Sequence, residues 1–376
     1  MLQKQGGETA LQLIMSAALD LAARRLVICL GPGGVGKTTI GAALALEAAL
    51  EGRAVDVMTI DPAPRLFDTL GLQIRSAIPH DVPLADLHPR RGGRLRALRL
   101  DPKRMFDRLI DRYAPSTATR DAILCDRIYR GLSAALAGIA DYMAAEQLLD
   151  LRREGVSDLV VLDTPPAHQA INFLDAPRRM LELLSSRALA LLGGSRETVR
   201  GLGIFDFAAR AVLAAFDRLT GLHLLSDVQA FVRSFEGMYA GFAQRAAEVQ
   251  AVIREPTSTL VLVATAEPQR VQQTREFMSS LNRLGLRPGA LIINRVMPPL
   301  PDVEEIRRAR LPAALKRKLE VNLADFSALK AREAAWLEAL RELADGMPML
   351  VAEDLGCEPD TLKALVRIAR SLRVTG

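Results

Sequence analysis

A glycine-rich segment near the amino end, residues 31–39 (GPGGVGKTT), has the clearest chemical meaning in the chain. It follows the apolar run Leu26–Leu30 and satisfies the pattern G-x-x-x-x-G-K-[ST] in the strand–loop–helix context that this pattern requires. Its glycines let consecutive backbone N–H groups point inward and bind phosphate oxygens at the positive end of the following helix. The sequence therefore predicts a phosphate-binding loop.

Two side chains of this loop have predicted roles in phosphate chemistry. Lys37 is expected to reach the β- and γ-phosphates of a nucleoside triphosphate, and Thr38 to offer its hydroxyl to Mg²⁺. We therefore assign Lys37 to catalysis and Thr38 to the metal site. The predicted nucleotide-binding residues of the loop are Gly31, Gly33, Gly34, Val35, Gly36, Lys37, Thr38 and Thr39.

Two aspartates each follow an apolar strand further along the chain. Asp163 ends the run DLVVLD, where a carboxylate faces the phosphate-binding loop and holds Mg²⁺, usually through water; the alternative is a helix N-cap. Asp61 closes the run AVDVMTI at the edge where α/β sheets bind ligands, and it could orient the attacking water as a catalytic residue. The alternative for Asp61 is a structural turn aspartate.

The segment IINRV predicts which base the nucleotide carries. It follows an apolar strand and places Asn294 in a loop suited to reading a base. It has no Asp in the position that would pair with the N1–H and exocyclic amine of guanine. The sequence therefore favours adenine, with Asn294 as its contact, and ATP as the nucleotide.

The elements that must position these residues alternate along the chain between apolar strands and helical stretches. Such alternation indicates an α/β fold with a doubly wound, mostly parallel sheet. Several strands are continuous apolar runs, as expected where both faces of a sheet are covered. The predicted strands are 26–30, 54–60, 94–100, 158–162, 259–264, 290–293 and 349–351.

Two long gaps between strands predict an inserted helical subdomain, over residues 102–155 and 176–250. In the second gap, apolar residues recur at intervals of three and four over 205–219 and again over 228–242, which indicates two helices with one apolar seam each. The seams either pack on the rest of the protein or form a groove for a hydrophobic segment of a partner. A further short amphipathic helix is predicted over residues 8–24.

Composition limits the classes of function. The chain has 376 residues, of which 49% are hydrophobic and 25% charged, so it can bury a sizeable core. Its three cysteines, Cys29, Cys125 and Cys357, exclude a disulfide framework and predict a cytoplasmic location. The His and Cys residues form no cluster with the spacing of zinc ligands, so we expect no zinc site. Basic residues are dense only over 307–318, and few aromatic residues accompany them, so we expect no nucleic-acid partner.

The order of five segments resembles the arsenite-pump ATPase (ArsA) family, which includes the ATPase that targets tail-anchored membrane proteins. The segments are ICLGPGGVGKTT, MTIDPAPRLFDTLGL, VVLDTPPAHQAINFLDAP, LIINRV and MPMLVAEDLG. The resemblance implies a dimer that binds ATP near its interface, with Asp61 on the first switch and Asp163 opening the second. It also implies that Asn294 and Pro348 flank adenine, and that Glu267 lies near the interface.

The chain departs from the family pattern in ways that bear on function. Most members carry a second lysine in the phosphate-binding loop, thought to reach the partner subunit's nucleotide, and this chain has Pro32 there. Gln169 stands where the family usually has His, and His168 precedes it. No CxxC pair could bind a zinc ion between subunits. No cysteine triplet matches the family's metalloid site, and the chain has one phosphate-binding loop where the arsenite pump has two.

Three functions follow as hypotheses. The leading one is a Mg²⁺-dependent ATPase that acts as a conformational switch, as a homodimer or a heterodimer with a paralogue, on a hydrophobic client or membrane-protein partner. The second is the energising subunit of an arsenite or anion exporter, which needs thiolates that meet in space. The third is a MinD-like membrane-surface positioning ATPase, for which the stretch 362–373, with apolar and basic residues at helical spacing, would supply the amphipathic helix. Packing on the sheet is the alternative for that helix.

Overall fold

The computed structural model describes residues 19–73, 77–126, 129, 137–185, 234–356 and 361–374, and these fall into two compact units. The described parts of Met1–Arg99, Glu154–Ile171 and Arg254–Gly376 form the first unit, which contains the sheet. Those of Leu100–Arg153 and Asn172–Ile253 form the second, which is helical. Residues 8–18 of the helix predicted over 8–24 lie outside the described residues, and residues 20–24 are turn and irregular structure, not helix.

The described residues of the first unit include a nine-stranded sheet in the order β3-β4-β2-β5-β1-β6-β7-β8-β9. The strands are β1 Leu26–Leu30, β2 Ala54–Thr59, β3 His80–Asp81, β4 Arg94–Arg99, β5 Leu159–Asp163, β6 Ser258–Ala264, β7 Ala290–Val296, β8 Met349–Glu353 and β9 Arg373–Val374. All neighbours are parallel except β3 with β4 and β8 with β9, at the two edges. The predicted doubly wound, mostly parallel fold is confirmed, and the two short edge strands were not predicted.

Helices connect the strands and form the second unit. Those within the described ranges are α1 Lys37–Leu50, α2 Arg65–Thr69, α3 Pro102–Tyr113, α4 Thr117–Cys125, α5 Ala137–Glu154, α6 Ala167–Leu184, α7 Tyr239–Arg254, α8 Pro268–Arg283, α9 Val303–Arg308, α10 Ala313–Ala344 and α11 Leu362–Ser371. None of these helices combines the length and the apolar character that crossing a membrane requires.

The carboxyl-terminal helix α11 belongs to the core of the first unit. Its apolar side chains Leu365, Val366, Ile368 and Ala369 are buried in the same cluster as the apolar residues of β1 and α1. Burial of this face against the sheet unit gives α11 its stabilising contacts, because amphipathic helices gain most of their stability from packing. The packing alternative for this helix is therefore the observed one, and the apolar face that the MinD-like hypothesis needs for a membrane surface is buried.

The second unit is organised around a buried ionic cluster. Arg245 of α7 is fully buried and pairs with Glu146 of α5 and, at 2.7 Å, with Asp150 of the same helix. Tyr142 donates its hydroxyl hydrogen bond to Glu146. A buried arginine has to be paired in this way, because an unpaired charge in the interior is strongly unfavourable. The cluster therefore fixes α7 against α5.

The predicted apolar seams are only partly within the described residues. The seam over 205–219 and the first half of the seam over 228–242 lie outside them. In the second half, Phe235, Met238 and Phe242 are buried, and the ring of Phe235 lies 6.2 Å from that of Phe106 on α3. This part of the seam packs inside the helical unit.

Candidate active site

The phosphate-binding loop has backbone angles that require glycine. Gly31 has φ +144°, and a Cβ there would lie 2.2 Å from the carbonyl oxygen of Val263 on β6. Gly36 has φ +89°, and its Cβ would lie 2.2 Å from Nδ2 of Asn294. Residues with a Cβ rarely adopt such backbone angles, so only glycine lets this loop pass so close to β6 and β7. The strand–loop–helix arrangement predicted for residues 31–39 is the one observed, with α1 beginning at Lys37.

Lys37 lies folded back into its own loop. Its ammonium donates a hydrogen bond of 2.8 Å to the carbonyl oxygen of Pro32, and only 7% of the residue is exposed. Burial lowers the pKa of this ammonium, and the nearby carboxylates Asp163 and Asp61 act in the opposite direction. Within the described part of the chain, its one hydrogen-bond acceptor is neutral. A largely desolvated cation in this state is well suited to bind an anion, since phosphate oxygens would replace the lost hydration.

Strand register brings together the hydroxyl and carboxylate predicted to serve Mg²⁺. Asp163 is the last residue of β5 and pairs in register with Cys29 on β1 and with Thr59 on β2. Its Oδ2 accepts hydrogen bonds from Thr38 at 2.9 Å and from Thr59 at 3.0 Å. Thr38, Thr59 and Asp163 thus meet at the carboxyl ends of three neighbouring strands, where open α/β sheets bind ligands.

The Asp163 carboxylate has the properties of a cation ligand. It is buried, and its second oxygen, Oδ1, has no hydrogen-bond partner among the residues that the structure describes. Burial raises the pKa of Asp163 to about 6, although the hydrogen bonds from Thr38 and Thr59 and the charge of Lys37 lower it. A buried carboxylate with an unused oxygen beside a threonine hydroxyl fits Mg²⁺, which takes oxygen ligands and is bound by one or two carboxylates together with phosphates. Thr38 and Asp163 are therefore the residues that would hold it.

The burial of Asp163 leads to a prediction about stability without ligand. Its folded-state pKa exceeds the unfolded value of 3.8, so its contribution to stability is present at low pH and is lost as the pH rises through about 6. Between pH 4.5 and 7.5 the wild-type protein should lose on the order of 2 kcal/mol of unfolding free energy relative to an Asp163→Asn variant. Urea unfolding of both proteins in chelator measures this difference. A difference independent of pH would contradict the assignment of a destabilised, ligand-ready carboxylate.

Asp61 forms a turn and also contributes charge to the site. Its Oδ1 accepts a 2.9 Å hydrogen bond from the backbone N–H of Ala63, and its own N–H donates to Thr59 Oγ1 at 3.2 Å. The structure therefore contains the turn that the sequence suggested as the alternative role of Asp61. The carboxylate is only partly buried, and it acts electrostatically on Lys37 and Asp163. Both the turn and the charge are therefore available for function.

The structure brings Asn294 to the loop, but it does not bring Pro348 there. Asn294 is a buried residue of β7, and its Nδ2 donates a 3.0 Å hydrogen bond to the carbonyl oxygen of Val35. Pro348 immediately precedes β8, and its carbonyl oxygen accepts from Leu291 near the start of β7. It therefore lies at the amino ends of the parallel strands, away from the edge that carries the loop. The carboxyl end of β8, where Asp354 N–H donates to Val296 O at 2.8 Å, is the part of that strand on the Asn294 side.

Sequence reasoning missed three residues beside the loop. Thr59 gives the second hydrogen bond to Asp163. The guanidinium groups of Arg270 and Arg295 lie next to Gly34. The sequence offered one signal for Thr59, since it ends β2 and lies two residues before Asp61. Arg270 and Arg295 stand more than 230 residues from Gly34 in the numbering, and only the fold brings them to it.

Cys29 is buried in β1. It is a free thiol with no exposed surface, and burial raises its pKa well above the usual range. A thiol in this state does not act as a thiolate ligand at neutral pH. Within the described ranges, no group of three or more His, Cys, Asp or Glu residues is arranged to hold a metal ion.

Comparison with known proteins gives one family match. Residues 24–345 match the family described as "Anion-transporting ATPase" (ArsA_ATPase). The chain is 22% identical to "ATPase GET3" of Malassezia globosa over 83% of its length and 86% of that protein. It is 24% identical to "Putative arsenical pump-driving ATPase 2" of Aquifex aeolicus, over 85% of its length and 97% of that protein. It is also 28% identical to an uncharacterised protein of Streptomyces coelicolor, over 73% of its length and 63% of that protein.

Proposed function

Because this chain is an ATPase of the anion-transporting ATPase (ArsA) family, we propose that it hydrolyses ATP with Mg²⁺ as a dimeric conformational switch in the cytoplasm and acts on a hydrophobic client or partner protein. The observation that carries the proposal is the meeting of Lys37, Thr38 and Asp163 at one sheet edge, with Asp61 close enough to act on their charges. These groups are the ones that ATP hydrolysis requires: a phosphate-binding cation, ligands for Mg²⁺ and a carboxylate near the attacking water.

The residues divide the reaction between them. In the proposed reaction, Lys37 exchanges the Pro32 carbonyl for the β- and γ-phosphates, and the loop N–H groups between Gly33 and Thr38 bind the phosphate oxygens. Thr38 and Asp163 would hold Mg²⁺, which when bound would neutralise negative charge on the phosphates. Asp61 orients the water for in-line attack on the γ-phosphorus. Asn294, already bonded to the loop through the Val35 carbonyl oxygen, is the residue that we propose contacts adenine.

The switch part of the proposal rests on the connection between the site and the flanking chain. Asp61 opens the turn that leads into α2, and Asp163 is followed by Thr164, whose hydroxyl donates a 2.7 Å hydrogen bond to the carbonyl oxygen of Cys29. The chain continues through α6 into the second unit. Nucleotide bound at Asp163 would therefore act on a segment that leads into the helical unit, where we propose a client binds.

The test is steady-state ATPase activity as a function of enzyme concentration, with and without a hydrophobic peptide. If a dimer completes the active site, the rate per subunit should rise with concentration and reach a plateau, because association and not substrate limits the rate at low concentration. Peptide should stimulate turnover or slow nucleotide release. Omitting Mg²⁺ should abolish the rate, and the Lys37→Ala protein, purified in parallel, measures contaminating ATPase activity.

The outcomes separate the competing functions. A constant rate per subunit, with a monomer in sedimentation both with and without ATP, would contradict the dimeric switch. A rate that rises with antimonite but not with peptide would favour the exporter function and would contradict the client proposal. The buried, raised-pKa thiol of Cys29 argues against antimonite stimulation through that residue.

A further inference from the structure

Two arginine side chains from distant parts of the first unit converge on one glycine of the phosphate-binding loop. Nη1 of Arg295, in β7, lies 3.5 Å from the carbonyl oxygen of Gly34. Nη2 of Arg270, in the first turn of α8, lies 3.3 Å from the position that a Cβ on Gly34 would occupy. Gly34 itself has an exposed backbone with φ +77°. A larger residue at 34 would therefore push against a guanidinium group.

Neither cation is neutralised by the described part of the chain. Arg270 donates only to the neutral amide oxygen of Gln273, at 2.9 Å, and Arg295 has only the Gly34 carbonyl. Other arginines of the same unit pair with carboxylates, as Arg96 does with Asp56. Two positive charges held beside one glycine repel each other, and a bound anion would relieve that repulsion. The two guanidinium groups therefore form a positive site suited to an anion. The anion that this loop is built to bind is phosphate.

The backbone of Arg295 is also unusual. Its φ is +60°, although it is not glycine, and the pairing of β7 with β8 shifts in register between Ile293 and Val296. A left-handed residue within a strand and a local bulge both re-aim a side chain, and such features concentrate at functional sites. Arg295 is exposed and immediately follows Asn294, which contacts the same loop. The irregularity therefore presents this guanidinium at the carboxyl edge of the sheet.

We propose that Arg270 and Arg295 bind the phosphate oxygens of ATP beside Gly34 and stabilise the charge that develops as the γ-phosphate is transferred to water. The inference rests on the proposed ATPase function and adds two residues to its catalytic group. A guanidinium offers a planar set of donors that matches phosphate oxygens in a bidentate way. Position 32 of the loop holds a buried proline, so Lys37 is the only cation that the loop itself provides.

The test compares Arg270→Ala, Arg295→Ala and the double variant with Arg275→Ala as a control. Arg275 lies on the same helix as Arg270, is exposed, and is not near Gly34. Each single variant should lower kcat about 10- to 100-fold, and the double variant more, because each removes a donor to the transition state. Arg275→Ala should retain the wild-type rate. Arg295→Lys should retain part of the rate that Arg295→Ala loses, since lysine keeps the positive charge but lacks the planar set of donors of a guanidinium group.

A binding measurement distinguishes phosphate stabilisation from a structural role. Affinity is measured for Mg²⁺-ADP alone and for Mg²⁺-ADP with aluminium fluoride, a mimic of the transferring phosphoryl group. The double variant should bind ADP within a few-fold of wild type, yet lose most of the added affinity that fluoride gives. A structural defect would weaken both complexes equally.

The results separate failure of this inference from failure of the proposed function. If wild-type protein hydrolyses ATP and the double variant matches it in both kcat and fluoride-dependent affinity, the role of Arg270 and Arg295 is overturned and the ATPase function stands. Equal loss in the Arg275→Ala control would also overturn it. If purified wild-type protein shows no Mg²⁺-dependent ATP hydrolysis, the ATPase function fails, and this inference fails with it.

Discussion

A Lys37→Ala variant is expected to lose ATP hydrolysis almost completely, with kcat/KM lowered by about three orders of magnitude or more. The reason is the state of Lys37, a residue that is 7% exposed and whose ammonium donates to a neutral carbonyl oxygen. Its desolvation has already occurred during folding, as the lowered pKa of Lys37 reflects. Phosphate binding therefore gains a strong charge-assisted hydrogen bond without the usual cost of removing water from the cation.

The same burial predicts that the variant folds well without nucleotide. A cation whose pKa is lowered on folding destabilises the folded protein at neutral pH, so its removal should leave the free energy of unfolding unchanged or slightly higher. Urea unfolding and steady-state ATPase activity of the same preparations test both statements. Lys363→Ala, which removes an exposed lysine on α11, is the matched control and should behave as wild type. Wild-type turnover in Lys37→Ala would contradict the assignment of residues 31–39 as the catalytic loop.

The sheet and the loop could be predicted because their signals are local. The continuous apolar run of β1, the glycines and the start of α1 lie within a few residues of one another, and the backbone geometry follows from those residue types. Asp163 was found for the same reason, since it ends an apolar strand. The antiparallel strands β3 and β9 were missed because each has only two residues and is defined by its partner, not by its own pattern.

The parts of the site that could not be predicted depend on distant contacts. The sequence places Pro348 close to a strand but cannot by itself fix which end of that strand faces the nucleotide. Arg295 appeared as the residue after a base-reading Asn294, and its left-handed φ arises from the register shift against β8. The convergence of Arg270 and Arg295 on Gly34 needs the order β1-β6-β7 in the sheet. Such contacts follow from the order of the strands in the sheet and cannot be predicted from the spacing of residues along the sequence.

The second large effect is expected at Asp61, where an Asp61→Asn variant should retain ATP binding while kcat falls by about 100- to 1,000-fold. Asparagine keeps the carbonyl oxygen that accepts the Ala63 N–H, so the turn survives the substitution. What is removed is the negative charge that would orient water. ATP affinity should change little or rise slightly, because Asp61 opposes the ionised form of Asp163 and would repel the γ-phosphate. Equilibrium binding of ATP and single-turnover hydrolysis measure these two quantities separately.

The variants Asp61→Asn and Asp61→Ala together show whether Asp61 acts only through its turn or through its negative charge. If the residue acts only through its turn, Asp61→Asn should turn over at the wild-type rate and Asp61→Ala, which loses the acceptor for Ala63, should not. If it acts through its charge, both variants should be slow, and Asp61→Ala should in addition be less stable because the N–H of Ala63 loses its partner. Asp86→Asn, at an exposed position of the same unit, controls for the loss of one negative charge. A slow Asp61→Asn protein with unchanged ATP affinity would place Asp61 in the chemical step, since only an interaction made in the transition state lowers kcat in this way.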